Sequence, residues 1–213
     1  MRPLVVTGAA AALAVWSRRA LRAWGATPEE QRAPMPGDDV VADASDHGTM
    51  ATTIDAPPKA IWPWLAQMGC DRAGFYSWDR LDNGGRPSAD RIHDAWQDIR
   101  VGSRIVSRPG AKAWFDVVAC DPPNALVLRA SLAGNGEPFD PAGPWPRVAS
   151  DTTWAFQLRG LPGGRTRLLV RSRGRTTSPI LDLAGVVFWE PAHWVMQTKQ
   201  FRELERRVAY ATR

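Results

Sequence analysis

The chain reads as an α+β protein: antiparallel strands in hairpins, gathered into one sheet, followed by a single long C-terminal helix. Two stretches carry most of this reading. "TTWAFQLRGLPGGRTRLLVRSRG" alternates with period two on both sides of a Pro-Gly-Gly turn, so Trp154, Phe156 and Leu158 share one face and Leu168, Val170 and Ser172 continue it. "EPAHWVMQTKQFRELERRVAYA" places Trp194, Gln197, Phe201, Leu204, Val208 and Ala211 on one helical stripe in which Gln197 is the sole polar member. With 213 residues and 44% hydrophobic content, the chain has enough apolar material for one packed domain plus an extension.

The N-terminus opens with 14 uncharged, mostly apolar residues from Pro3 to Trp16, followed by "SRRALRAW". This run is short for a membrane-spanning helix, which needs about 20 residues. Leu13, Trp16, Ala20 and Trp24 fall on one face and Arg18, Arg19 and Arg22 on the other, so residues 1–25 are expected to form an interfacial helix and a membrane anchor. A helix packed against the domain and a cleaved signal are the alternatives. Residues 26–47, rich in Pro, Asp and Gly, read as a linker, and the domain is expected to span 48–213.

The first strand is "TMATTIDA", with Met50, Thr52 and Ile54 alternating against Thr49, Ala51 and Thr53. Asp55 then stands where a helix cap belongs, and Pro57 and Pro58 suit a first turn, because a proline there forfeits no hydrogen bond. Ile61, Trp62, Leu65 and Met68 recur at helical spacing, Pro63 is expected to kink that helix, and Gly69 ends it. A short helical or irregular segment carries Phe75, Tyr76, Trp78 and Leu81 before Asn83-Gly84-Gly85. "AWFDVVACDPPNALVLRAS" is a further hairpin turning at Asp121 to Asn124. In the last hairpin Gln157, Arg159, Arg167, Arg171 and Arg173 point away from the apolar face and read most simply as a solvated outer surface.

Charge and spacing exclude several functions. Of the formal net charge of +5, +4 lies in residues 1–25, leaving +1 on the rest, and no finger, helix-turn-helix or RNP pattern is present, so nucleic acid is not an expected partner. Cys70 and Cys120 are single thiols in no ligand spacing, and His47, His93 and His193 are scattered, so no metal and no cofactor is expected. No G-x-S-x-G elbow marks a nucleophilic serine. Eleven tryptophans against two tyrosines suit either core or the wall of a broad cavity.

"TTIDAPPKAIWPWLAQMGCDRAGFYSWDRLDN", "DAWQDIRVGSRI", "TWAFQL" and "TRLLVRSR" resemble the SRPBCC proteins, the START-related, polyketide cyclase/dehydrase-like superfamily that shares the birch-allergen helix-grip fold. "RAWGATPEE" and "PGDD" resemble the lead-in segment of an uncharacterised bacterial subset, some members of which have N-terminal membrane segments. The resemblance covers roughly residues 22–212 and implies a curved antiparallel sheet around the C-terminal helix, with two short helices closing one end of an apolar cavity. It makes Trp62, Phe75, Tyr76, Trp78, Trp114, Trp154, Phe156, Trp194, Gln197 and Phe201 the candidate ligand-binding residues. The implied function is binding or carriage of a lipid, polyketide or isoprenoid, at the cytoplasmic face of the membrane or in the cytoplasm. The alternative is a cyclase or dehydratase, for which Asp79, His93 and His193 are the candidate acid/base groups.

Overall fold

A computed structural model describes residues 18–110 and 112–211. In chain order the elements are α1 (Pro28–Arg32), β1 (Asp46–Ile54), α2 (Pro58–Ala66), α3 (Asp79–Asp82), a 3-10 turn (Asp94–Trp96), β2 (Arg104–Val106), β3 (Trp114–Asp121), β4 (Ala125–Ala133), β5 (Ala149–Leu161) and β6 (Arg165–Thr176). They are followed by α4 (Pro179–Ala184), a π-helical stretch (Gly185–Trp189) and α5 (Glu190–Ala211). The strands form one antiparallel sheet in the order β1-β6-β5-β4-β3-β2. The fold is α+β, of the helix-grip type: an antiparallel sheet against a long C-terminal helix.

The register of the last hairpin follows from its alternation. Trp154 pairs with Ser172, Phe156 with Val170 and Leu158 with Leu168, so one inner face runs across β5 and β6 and on to Met50 of β1. Against that face α5 buries Gln197, Thr198, Gln200, Phe201, Leu204, Arg207 and Val208. The stripe therefore carries more polar groups than Gln197, and Ala211 is exposed.

Helix α2 begins at Pro58 and runs through Pro63 to Ala66. Its N-cap is Pro57, which offers no side-chain hydrogen bond, so Asp55 is not the cap. Trp64 and Leu65 are fully buried and Trp62 is only half-buried, because the helix turns its 61, 64, 65 face to the core. Trp64 meets the Tyr76 ring edge-on at 5.9 Å.

Residues 24–45 form a belt around the edge and outer face of the sheet. Trp24 stacks on Phe201 at 5.9 Å on the inner side, its carbonyl accepts from the Ala51 amide of edge strand β1, and the chain then crosses to the other face. This closes a strand edge that would otherwise present unpaired backbone groups. A Cβ added at Gly25 would lie 2.1 Å from the Ala51 carbonyl oxygen, and one at Gly37 2.5 Å from Val127 Cγ1, so both close approaches depend on glycine. Thr27 and Glu30 form a capping box on α1.

The arginine face is thus covered rather than solvated. Arg171 is 4% exposed and uses all five of its N–H donors: to Thr49 Oγ1 at 2.8 Å, Ala33 O at 3.0 Å, Asp38 Oδ2 at 2.6 Å, Glu30 O at 2.9 Å and Gln31 O at 3.1 Å. Arg167 donates to both Glu30 carboxylate oxygens at 2.7 Å, and Arg175 pairs with Asp43. Met35, Ala51 and Leu169 make a small apolar cluster beneath the belt. The segment read from composition as a linker supplies the acids and carbonyls that the strand arginines need.

The helical residues 18–22 also rest on the domain. Arg18 donates to Glu190 at 2.6 to 2.9 Å, and Arg22 pairs with Asp46. The apolar run Pro3–Trp16 lies outside the described residues. Among the described residues, no helix is long and apolar enough to cross a membrane.

Candidate functional site

The inner face changes character along its length. Around Leu126, Leu128, Phe156, Leu168, Phe201 and Leu204 it is closed, with each side chain no more than 2% exposed. One residue pair further along β5 and β6, Trp154, Ser172 and the facing His193 are only half-buried, as are Phe115 and Trp194. The grip between sheet and helix therefore ends here in part-exposed aromatic side chains, called the aromatic mouth below.

Trp154 is its centre. Its ring lies 4.7 Å from Phe156, 5.8 Å from Phe115, 6.1 Å from Phe75 and 6.4 Å from His193, centroid to centroid. The indole N–H donates to Gln197 Oε1 at 3.2 Å, Gln197 Nε2 donates to Gln200 Oε1 at 2.8 Å, and Gln200 Nε2 donates to the Phe75 carbonyl at 2.9 Å. This relay ties β5, α5 and the loop before α3 together and fixes the tilt of the indole, because an amide donor buried without an acceptor is costly. His193 Nε2 lies 3.2 Å from Ser172 Oγ, and burial pushes the imidazole pKa down to about 4, so the ring is neutral at physiological pH.

The other candidates divide by position. Phe75 belongs to the aromatic wall, while Phe156, Gln197 and Phe201 form its closed floor. Tyr76 is fully buried behind the wall, accepting from Gln67 Nε2 at 2.9 Å, with φ of 58°, a left-handed conformation unusual for an aromatic residue. Burial pushes its phenol pKa well above the ordinary value. Trp62 packs on the core from outside it. Trp78 is 48% exposed beneath Lys199, whose Nζ lies 5.3 Å from the ring, so it is not part of the wall.

Trp114 is also displaced from the expected place. Its indole donates to Asp116 at 3.0 Å under the Arg104 guanidinium, and it lines an outer cleft of about 460 Å³ with Lys112, Glu137 and Pro138. Phe115 takes the inner position, since neighbouring residues of a strand face opposite ways. The sequence signal was available: Asp116 shares the phase of Trp114 and marks that phase as the outer one. Ser172 had a weaker signal, a polar residue continuing the apolar phase of Leu168 and Val170, and Gln200 had none, since it lies off the stripe that the helical spacing picks out.

Asp79, His93 and His193 occupy three different settings. The Asp79 carboxylate accepts from the Ser88 amide at 3.0 Å and hydroxyl at 2.6 Å at a polar groove of about 490 Å³, lined also by Ser77, Lys199 and Glu203. Burial opposes the Glu203 charge, but hydrogen bonds from Lys199, Arg206 and Arg207 outweigh it and hold its pKa down to about 2. Asp82, three residues after Asp79, is buried; burial, then the Asp79 charge, push its pKa up to about 6. His93 lies with its ring 4.3 Å from Trp96. Among the described residues, no group of three His, Cys, Asp or Glu side chains is placed to hold a metal ion, and Cys70 and Cys120 are free thiols.

No family model matches the chain, and no curated protein matches it. Solved structures do. A protein from Nitrosospira multiformis aligns over 79% of this chain and 100% of its own at 11% identity and a TM-score of 0.48. A protein from Arthrobacter aurescens aligns over 77% and 86% at 17% identity and 0.46, and one from Mesorhizobium loti over 78% and 98% at 19% identity and 0.44.

Proposed function

We propose that the protein is an SRPBCC-type binding or carrier module for a hydrophobic small molecule, a lipid, polyketide or isoprenoid, working beside a membrane that residues 1–25 help it reach. The observation that carries this reading is Trp154. It sits on the apolar inner face, ringed by Phe75, Phe115 and Phe156, with its only polar atom engaged by Gln197, and still keeps exposed surface. An aromatic surface held rigid and left part-wet is a preorganised apolar contact. Ser172 and neutral His193 at the rim supply a hydroxyl and an imidazole that suit a ligand carbonyl or hydroxyl. Catalysis is less well supported, because Asp79, His93 and His193 stand in separate settings.

The test is native mass spectrometry of full-length protein after mild extraction, followed by titration with the class of molecule that co-purifies. Trp154→Ala should weaken binding at least tenfold while lowering the urea midpoint less than Phe156→Ala, whose closed site should cost ~3 to 5 kcal/mol. Unchanged affinity in Trp154→Ala would overturn the assignment.

A further inference from the structure

The run Ile180–Trp189, which leads into α5, is apolar and uncovered. Ile180 is 78% exposed, Leu183 64%, Val187 68%, Phe188 63% and Trp189 63%. The one charged residue within it, Asp182, is engaged by the Thr176 hydroxyl at 2.8 Å. Five large apolar side chains on one helical run make a patch of several hundred Å², a size that marks an interaction surface.

What covers it is indicated by where the rest of the chain enters. Pro3–Trp16 joins the described fold at Arg18, and Arg18 is fastened by three short contacts to Glu190, the residue directly after Trp189. The apolar N-terminal run is therefore tethered, through Arg18, next to the end of the Ile180–Trp189 ridge. They do not satisfy each other: Pro3–Trp16 has no charged or strongly polar side of its own, so a one-sided ridge leaves much of its apolar surface uncovered. A second copy of the chain leaves the same remainder. A bilayer accommodates both.

We propose that Ile180–Trp189 is a second membrane contact, inserting its exposed apolar side chains at the interface of a lipid bilayer. His193 begins one helical turn beyond Trp189, so this docking sets the aromatic mouth at the bilayer surface, where an apolar ligand enters without crossing water. The inference rests on the membrane reading of residues 1–25, and the experiment separates the two.

Full-length protein is floated with vesicles of mixed phosphatidylcholine and phosphatidylglycerol, alongside a Val187→Ser/Phe188→Ser variant and a Leu13→Asp/Val15→Asp variant. The ridge variant should partition roughly tenfold less or weaker still, with an unchanged thermal midpoint because its altered residues are exposed. If only the N-terminal variant loses binding, the ridge is not a membrane contact and the first reading stands. If only the ridge variant loses it, the ridge assignment stands and the N-terminal one falls. Full binding by both variants, or none by the wild type, overturns both. A wild-type dimer that the ridge variant dissociates, without vesicle binding, assigns the patch to a second copy and overturns the proposal.

Discussion

The two faces of β6 invert the usual rule of polar outside and apolar inside. Arg167, Arg171 and Arg173 point outward yet are covered by the belt of residues 24–45, and Arg171 is as buried as core. Their neighbours Leu168, Val170 and Ser172 point inward, and at Ser172 that face opens to solvent beside Trp154. Burial here follows from which segment returns to cover a face, and the polarity of the strand shows only what chemistry the cover must have. Acids and carbonyls seal the basic face, and the apolar face is left with an aromatic gap.

Three substitutions sharpen this contrast, and the largest effect belongs to the sealed side. Arg171→Ala should lower stability by ~3 to 5 kcal/mol in urea unfolding, since it removes the ion pair to Asp38 and the donor to three belt carbonyls. Ligand affinity at the mouth should stay as in the wild type. A loss below about 1 kcal/mol would mean that the belt holds by its apolar contacts alone.

Gln197→Leu acts on the boundary between the closed floor and the mouth. It leaves the Trp154 indole N–H and the Gln200 amide oxygen unpartnered, so a loss of ~1 to 3 kcal/mol is expected, together with altered ligand selectivity as the indole loosens. A gain in stability would show that the relay is not made in solution.

The smallest effect is away from both faces, at Asp82. Its folded pKa of about 6 stands above the ordinary 3.8, so the folded state holds the extra proton between these values and stability falls as pH rises through that window. Asp82→Asn should gain ~1 to 2 kcal/mol near neutral pH and almost nothing below about pH 4. Urea midpoints across pH would show it; an equal gain at both ends would assign the effect to packing instead of charge.

Much of the fold was legible because it rests on local rules. The alternation of β5 and β6 set their register, Pro162-Gly163-Gly164 set their turn, and the 194, 197, 201, 204, 208 spacing set the buried side of α5. The inward phase of Trp154 was legible for the same reason. Trp78 was not separable from the inner aromatics, because aromatic content carries no direction where a loop orients the ring, whereas the outward phase of Trp114 was marked by Asp116 and overlooked. The belt was not legible from composition: Pro, Asp and Gly are as suited to a segment that bends closely around a sheet as to a connector without such contacts.

The sequence by itself determined the α+β order, the strand phases and the polarity of every face, since these depend on neighbours within a few residues. Only the tertiary structure decided that the arginine face is buried and the Trp154 face part-open. That outcome depends on residues 24–45 returning to meet β6 across 133 positions, as Arg171 with Asp38 records, and on residues 190–194 folding back over it across 21, as Ser172 with His193 records.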